Sequence, residues 1–175
     1  DIHTILQCVP AERQTVLFSA TLSGEIKTIA AQYQQNTKQI CIQPNTASAK
    51  KVEQFYCEVR GNAKFSALVQ LLQKKQFDLS LVFVATKVMA GDLASQLTEA
   101  GYPAEAIHGD LRQKQRDQVM RRYRDGKVSI LVATDVAARG IDVGGIDAVV
   151  NYDIPSDAES YVHRIGRTGR ADCTG

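Results

Sequence analysis

Apolar and polar positions in the second half of this chain follow two alternating periods. Leu81-Val82-Phe83-Val84 is a continuous apolar run, as expected of a parallel strand covered on both faces. Ala104-Glu105-Ala106-Ile107, the β-rich run from Val128 to Ala133, and Ala148-Val149-Val150 read as further short strands. Between them lie stretches with helical spacing. Residues 64–75 place Phe65, Leu68, Val69 and Leu72 on one face; 87–100 end near Gly101; 112–124 end at Gly126. Ahead of these, Val52 to Val59 alternates like a strand with Phe55, Cys57 and Val59 on one side. This repeated strand–helix–strand grammar predicts an α/β fold, an open and mostly parallel sheet with helices on both faces.

The first quarter reads differently. Val16-Leu17-Phe18 predicts a short buried strand, 23–35 a helix with Ile26, Ile29 and Ala30 on one face, and Ile40-Cys41-Ile42 another strand. Residues 43–51 carry Pro44, Asn45, Thr46 and Ser48 without periodicity, so a linker is expected over 45–51. Three parts result: 1–44, the linker 45–51, and an α/β body over 52–175. Taken from a larger sheet, Val16, Leu17 and Phe18 would be exposed, so 1–44 is expected to fit poorly around its own core.

Composition changes this picture little. A chain of 175 residues with 44% hydrophobic and 23% charged residues holds one good core. The net charge of +2 decides nothing about partners, so any nucleic-acid reading rests on local charge. No apolar stretch approaches the roughly 20 residues needed to span a membrane, and no signal-peptide pattern is seen. Cys8, Cys41, Cys57 and Cys173 form no C-x-x-C pair and have no His at zinc spacing. They read as reduced cytosolic thiols, Cys41 and Cys57 acting as small hydrophobes; a cytoplasmic location is expected.

The chemistry concentrates at strand ends. In an open parallel sheet ligands collect outside the carboxyl ends of the strands, where Ser19–Thr21, Thr86, His108–Asp110 and Thr134–Asp142 all fall. The run His163-Arg164-Ile165-Gly166-Arg167-Thr168-Gly169-Arg170 sets three arginines and two glycines beside an imidazole. Forked guanidinium groups match phosphate oxygens, and three-residue spacing puts Arg167 and Arg170 on one face if the segment is helical. Asp142, after Arg139-Gly140-Ile141, suits a ribose hydroxyl, or is a turn residue. Asp110 and Gln113 fit a helix-start capping box, which competes for Gln113 with the role of positioning Arg116 on a phosphate. That helix also carries Arg112, Lys114, Arg121, Arg122, Arg124 and Lys127 against Asp117 and Asp125. Such a patch gives sequence-independent affinity for a nucleic-acid backbone, or is a solvated face. Taken alone, Thr86 and Thr134 read as helix caps. Aromatics at 6% argue for backbone grip over base readout.

Ser19-Ala20-Thr21, His108-Gly109-Asp110 with Gln113 and Arg116, Thr134–Asp142 and the closing octapeptide occur in an order that resembles the C-terminal half of a DEAD-box ATP-dependent RNA helicase. Asn45-Thr46-Ala47-Ser48 and the ending 169–175 look most like bacterial RhlE-type members. The resemblance implies a second RecA-like lobe over 52–175, preceded by the tail of the first lobe, with its Ser-Ala-Thr motif, in 1–44. It implies Arg167 and Arg170 as catalytic groups at the γ-phosphate of ATP, and Gly140 and Asp142 as ATP contacts. Thr86, Lys87, Gly109, Gln113, Arg116 and Thr134 would touch RNA. Ser19, Thr21, Arg139, His163 and Arg164 would couple the lobes. The cofactor would be ATP with Mg²⁺, held mainly by the first lobe in cis. The chain opens at Asp1 in mid-pattern and stops just after the octapeptide, so it is expected to be a fragment cut at both ends. With no G-x-x-x-x-G-K-[ST] loop and no Asp-Glu-Ala-Asp run, it is expected not to hydrolyse ATP efficiently by itself. The other reading is a stand-alone RNA-binding or regulatory module without catalysis.

Overall fold

The computed structural model describes residues 2–10, 12–19, 24–34, 36–41, 52–138, 141, 143–169 and 175. The chain divides into two compact units, Asp1–Pro44 and Asn45–Gly175. In the first, helix α1 spans Ile2–Gln7 and α2 spans Gly24–Tyr33. They are joined by a 2.8 Å hydrogen bond between His3 Nδ1 and the Tyr33 hydroxyl. Gln34 Nε2 donates to the Thr15 carbonyl at 3.1 Å. The helix expected over 23–35 is present, but the strand expected at 16–18 is not. Those residues are irregular, and Phe18 is 93% exposed. An apolar run becomes a buried strand only when another strand pairs it and a layer covers it; among the described residues this unit has neither. Ile40 and Cys41 are likewise irregular and exposed, and Ile42 lies outside the described residues.

The second unit is built on four strands: β1 Ser80–Phe83, β2 Ala104–Ile107, β3 Ile130–Ala133 and β4 Ala148–Asn151. All pairings are parallel, in the order β2-β3-β1-β4. The register aligns Ser80 with both Ile130 and Ala148, and Ala104 with Ile130. The carboxyl ends Phe83, Ile107, Ala133 and Asn151 therefore form one row. Helices α3 (Lys64–Lys74), α4 (Lys87–Glu99), α5 (Gln113–Arg124), α6 (Asp135–Ala138) and α7 (Ala158–Ile165) connect and cover the sheet.

Strand side chains alternate between two cores. Val82, Val84, Ile130 and Val132 pack with Leu68 and Leu72 of α3 and with Leu93 and Leu97 of α4. Leu81, Phe83, Leu131 and Ala133 pack with Met120 and Tyr123 of α5 and Ala137 and Ala138 of α6. Both faces are covered, which explains why β1 and β3 read as unbroken apolar runs. α4 leaves by Gly101 at φ +89°, and α5 by Gly126 at φ +68°.

One strand expectation in this unit fails. Residues 52–59 form no ladder, and Tyr56 is 90% exposed. Alternation identifies a segment able to sit on a sheet; pairing needs a neighbour. The Glu53 N–H donates to the Gly175 carbonyl at 2.7 Å, and the Gln54 side chain accepts from the Tyr161 hydroxyl at 2.7 Å. Cys57 is exposed, as are Cys8 and Cys41, so the expectation that Cys41 and Cys57 serve as small buried hydrophobes is corrected. Cys173 lies outside the described residues.

Candidate functional site

The row of strand ends carries the described candidate residues of the second unit on the loops and helix starts that leave it. After β1, Thr86 opens α4: its hydroxyl accepts from the Met89 N–H at 3.1 Å. This is the cap expected of it as an isolated residue. Lys87 follows and meets Asp110, from the loop after β2, at 2.7 Å. The hydrogen bond from Lys87, with the lysine charge adding to it, holds the Asp110 carboxyl below its ordinary range. Asp110 is therefore a partner of Lys87 and not the cap of α5, whose Arg112 N–H donates instead to Gln115 Oε1 at 3.0 Å. The capping-box reading of Asp110 with Gln113 is corrected accordingly. Gly109 sits in the same turn with open space around its Cα.

Gln113 does not position Arg116. Its amide donates to Asp117 Oδ1 at 2.7 Å, one turn along the same helix. Arg116 reaches across the site, and its Nη2 donates to the Ala137 carbonyl in α6 at 2.5 Å. Thr134, half-buried, ends β3 and starts α6, its carbonyl accepting from the Ala138 N–H at 2.9 Å. Elsewhere in the basic patch, Arg122 is paired with Glu105 and Arg124 Nε donates to the Met120 carbonyl.

Arg164 departs most from the sequence reading. It is 3% exposed, and its guanidinium is engaged on every side within this unit. Nε and Nη2 donate to the two carboxylate oxygens of Asp135 at 2.6 and 2.7 Å. Nη1 donates to Asn151 Oδ1 at 2.9 Å and to the Asp153 carbonyl at 2.7 Å. The flat face lies 4.9 Å from the Phe83 ring centroid. A group buried this way is an internal anchor, at odds with the lobe-coupling role read from the octapeptide. Asp135, Asn151, Asp153 and Phe83 were missed by sequence reasoning, although each stands at or just past the carboxyl end of a strand.

Asp153 is a second anchor. Its carboxylate accepts from Lys64 Nζ at 2.8 Å and from the Ala85 N–H at 2.9 Å, just before Thr86. Burial alone would push this carboxyl up; the Lys64 and Ala85 hydrogen bonds and the charges of Lys64 and Arg164 outweigh it and hold the group below its usual range.

α7 is capped by Asp157, whose Oδ1 accepts from the Ser160 N–H at 2.7 Å. The helix ends at Ile165, so Arg167 stands in the following turn and the helical-face argument for Arg167 with Arg170 does not hold. Arg167 is half-buried and Nη1 donates to the Ile141 carbonyl at 3.0 Å. His163 is exposed. Phe83, Asp135, Ala138, Ser160, His163, Arg164 and Arg167 together line a shallow pocket at the strand ends. Among the described residues no group of three His, Cys, Asp or Glu is placed to hold a metal ion. Thr21, Arg139, Gly140, Asp142 and Arg170 lie outside the described residues; Ser19 is exposed in the first unit.

Residues 63–172 match the family described as helicase conserved C-terminal domain. The chain belongs to this helicase C-terminal domain family. Within it the similarity is to DEAD-box proteins. An ATP-dependent RNA helicase CshA of Listeria monocytogenes is 50% identical over 98% of this chain and 33% of that protein. A DEAD-box protein from Methanococcus jannaschii superposes with a TM-score of 0.66 at 45% identity, over 97% of this chain and 46% of that one. Saccharomyces cerevisiae Dbp5 bound to RNA and ADP BeF3 gives a TM-score of 0.81 at 35% identity, over 95% and 44%. The parallel sheet is thus the RecA-like fold of helicase C-terminal domains. The chain spans about a third of the length of the curated relatives it matches. Those relatives carry the name CshA, and the RhlE-type likeness finds no support among them.

Proposed function

We propose that this helicase C-terminal domain acts as the second lobe of an ATP-dependent RNA helicase, with ATP in a cleft against a first lobe and RNA across the strand ends. The carrying observation is that Arg116 of α5 and Arg167 of the turn after α7, two half-buried guanidinium groups, are each tethered to a backbone carbonyl near the carboxyl edge of the same sheet. A tethered arginine is pre-aimed, so less freedom is lost when it meets a phosphate. The shallow pocket beside Arg167 and His163 suits an anionic group, because the one carboxylate lining it, Asp135, is already paired to Arg164 and the Arg167 charge is left over.

In this reading bound ATP supplies the γ-phosphoryl group that is cleaved. Arg167, with Arg170, stabilises charge on that group, and Gly140 and Asp142 meet the sugar. Thr86, Lys87, Gly109, Gln113, Arg116 and Thr134 face the RNA backbone; Lys87 exchanges Asp110 for phosphate. Mg²⁺ would be held by the first lobe. Residues 1–44 belong to that first lobe, with Ser19 and Thr21 in its coupling motif, and 45–51 are the linker; Arg139 and His163 meet the partner lobe. A cytoplasmic site of action fits the free thiols.

The test is RNA-stimulated ATP hydrolysis by the chain alone, mixed with a lobe bearing a phosphate loop, and fused to it. Activity only when that lobe is supplied supports the reading. A silent fused protein that still binds RNA shows a binding module instead.

A further inference from the structure

α6 is a single turn, Asp135–Ala138, and one turn does not hold its own shape: helix nucleation is unfavourable and its end groups lack intrahelical partners. Its orientation is set from outside. At its start, the Asp135 carboxylate takes two hydrogen bonds from the buried Arg164 of α7. At its end, the Ala137 carbonyl takes one from Arg116 of α5. Ala137 and Ala138 are pressed into the core between these points. The chain continues to Ile141, whose N–H donates to the Ala138 carbonyl at 3.2 Å and whose own carbonyl holds Arg167. Arg167 is also tied directly to Arg164, its N–H donating to the Arg164 carbonyl at 3.1 Å.

We infer that α6 is a rigid link whose placement by the Asp135–Arg164 pair sets Arg116 and Arg167 together, making Asp135 and Arg164 positioning residues for both. What the two arginines touch rests on the proposed function; that they are held in common does not. Arg164 is too buried to meet a ligand itself, and Asp135 has the wrong charge to attract a phosphate. Displacing α6 moves the Ala137 carbonyl and the Ile141 carbonyl, and with them the two guanidinium groups. Phosphate pulling on either arginine is thereby felt at the other, since coupling between sites needs a shared element that both bias.

The test uses this chain and the arginine Nε–Hε resonances, with Arg116 and Arg167 assigned through Arg116→Lys and Arg167→Lys. In Asp135→Asn the signals of both Arg116 and Arg167 shift and exchange with solvent about fivefold faster, while the amide resonances of β1 and β3 keep their positions, which shows that the sheet itself is unchanged. Asp135→Glu returns the signals part of the way. From the other end, Arg116→Met, a change at a half-buried site that tests the link even if Asp135→Asn does not fold, perturbs Arg164 and Arg167. A perturbation confined to the direct partner of the altered residue overturns the inference. Binding of a labelled single-stranded RNA gives an independent sign. Asp135→Asn removes a negative charge, so charge alone strengthens binding, whereas lost positioning weakens it about fivefold. Unchanged or tighter binding overturns the inference. A wild-type chain that binds no RNA counts against the proposed function and leaves the arginine resonances to decide the link.

Discussion

Asp135 and Arg164 form one pair, yet removing either member has unequal consequences. Arg164 is 3% exposed, whereas the Asp135 side chain is 45% exposed. Asp135→Asn takes away the carboxylate paired to the buried guanidinium, leaving it neutral acceptors such as Asn151 Oδ1 and the Asp153 carbonyl and only the Asp153 charge, which Lys64 already shares. An uncompensated buried charge costs about 3–5 kcal/mol, and the partial exposure of the pair brings this to about 2–3 kcal/mol. Arg164→Met removes the charge itself and keeps most of the volume over Phe83. Asp135 then turns to water, and the loss is the hydrogen bonds to Asn151 and Asp153, about 1–2 kcal/mol. Asp135→Asn is therefore the more damaging change, although it is isosteric and alters the more exposed residue. Urea unfolding followed by circular dichroism measures both. With a slope of about 1–3 kcal/mol per molar, Asp135→Asn lowers the midpoint by about 1 M more than Arg164→Met when the slope is near its lower end. A larger loss in Arg164→Met would show that the guanidinium acts mainly through packing, and would refute the argument from unpaired charge.

Burial, with the Asp147 charge adding to it, raises the Tyr123 phenol well above its ordinary value, and its hydroxyl donates to the Ser80 carbonyl at 3.1 Å. The fold thus favours the neutral phenol: this stability is complete below the unfolded value of about 10 and declines as pH rises beyond it. Alkaline titration should show that decline, and Tyr123→Phe should flatten it while costing about 1 kcal/mol at neutral pH. Two glycines, Gly91 inside α4 and Gly101 just past its end, should answer oppositely to alanine. Gly101 at φ +89° should lose about 1 kcal/mol. Gly91, inside the helix with open space around it, should gain about 0.5–1 kcal/mol in the same urea assay. Phe18→Ser should change stability by less than about 0.5 kcal/mol, because Phe18 is exposed.

The α/β grammar of the second unit was legible because strands buried on both faces and helices of one-sided character leave different periods. β2 matched its expected bounds, and the helices fell within a residue or so of theirs. Residues 16–18 and 52–59 were misread for one reason: apolar pattern reports what a segment could bury, and whether a neighbour covers it is a property of the whole sheet. The site shows the same division. Thr86, His108 and Thr134 were placed correctly at strand ends, since that follows from local pattern. The roles of Gln113 and Arg164 were not legible, because a side chain's partner depends on which elements meet across the sheet. Arg164 sits in a charged octapeptide that reads as surface, and only the fold shows it closed over by Asp135, Asn151 and Phe83.

The central claim is that Arg167 acts on the phosphate of ATP from this lobe. The most direct measurement is single-turnover ATP hydrolysis by the protein fused to a phosphate-loop lobe, with saturating RNA, comparing wild type with Arg167→Ala. The account predicts a rate lower by about 10³-fold or more with RNA affinity unchanged. A rate within about tenfold of wild type, or a loss explained wholly by weaker RNA binding, would contradict it.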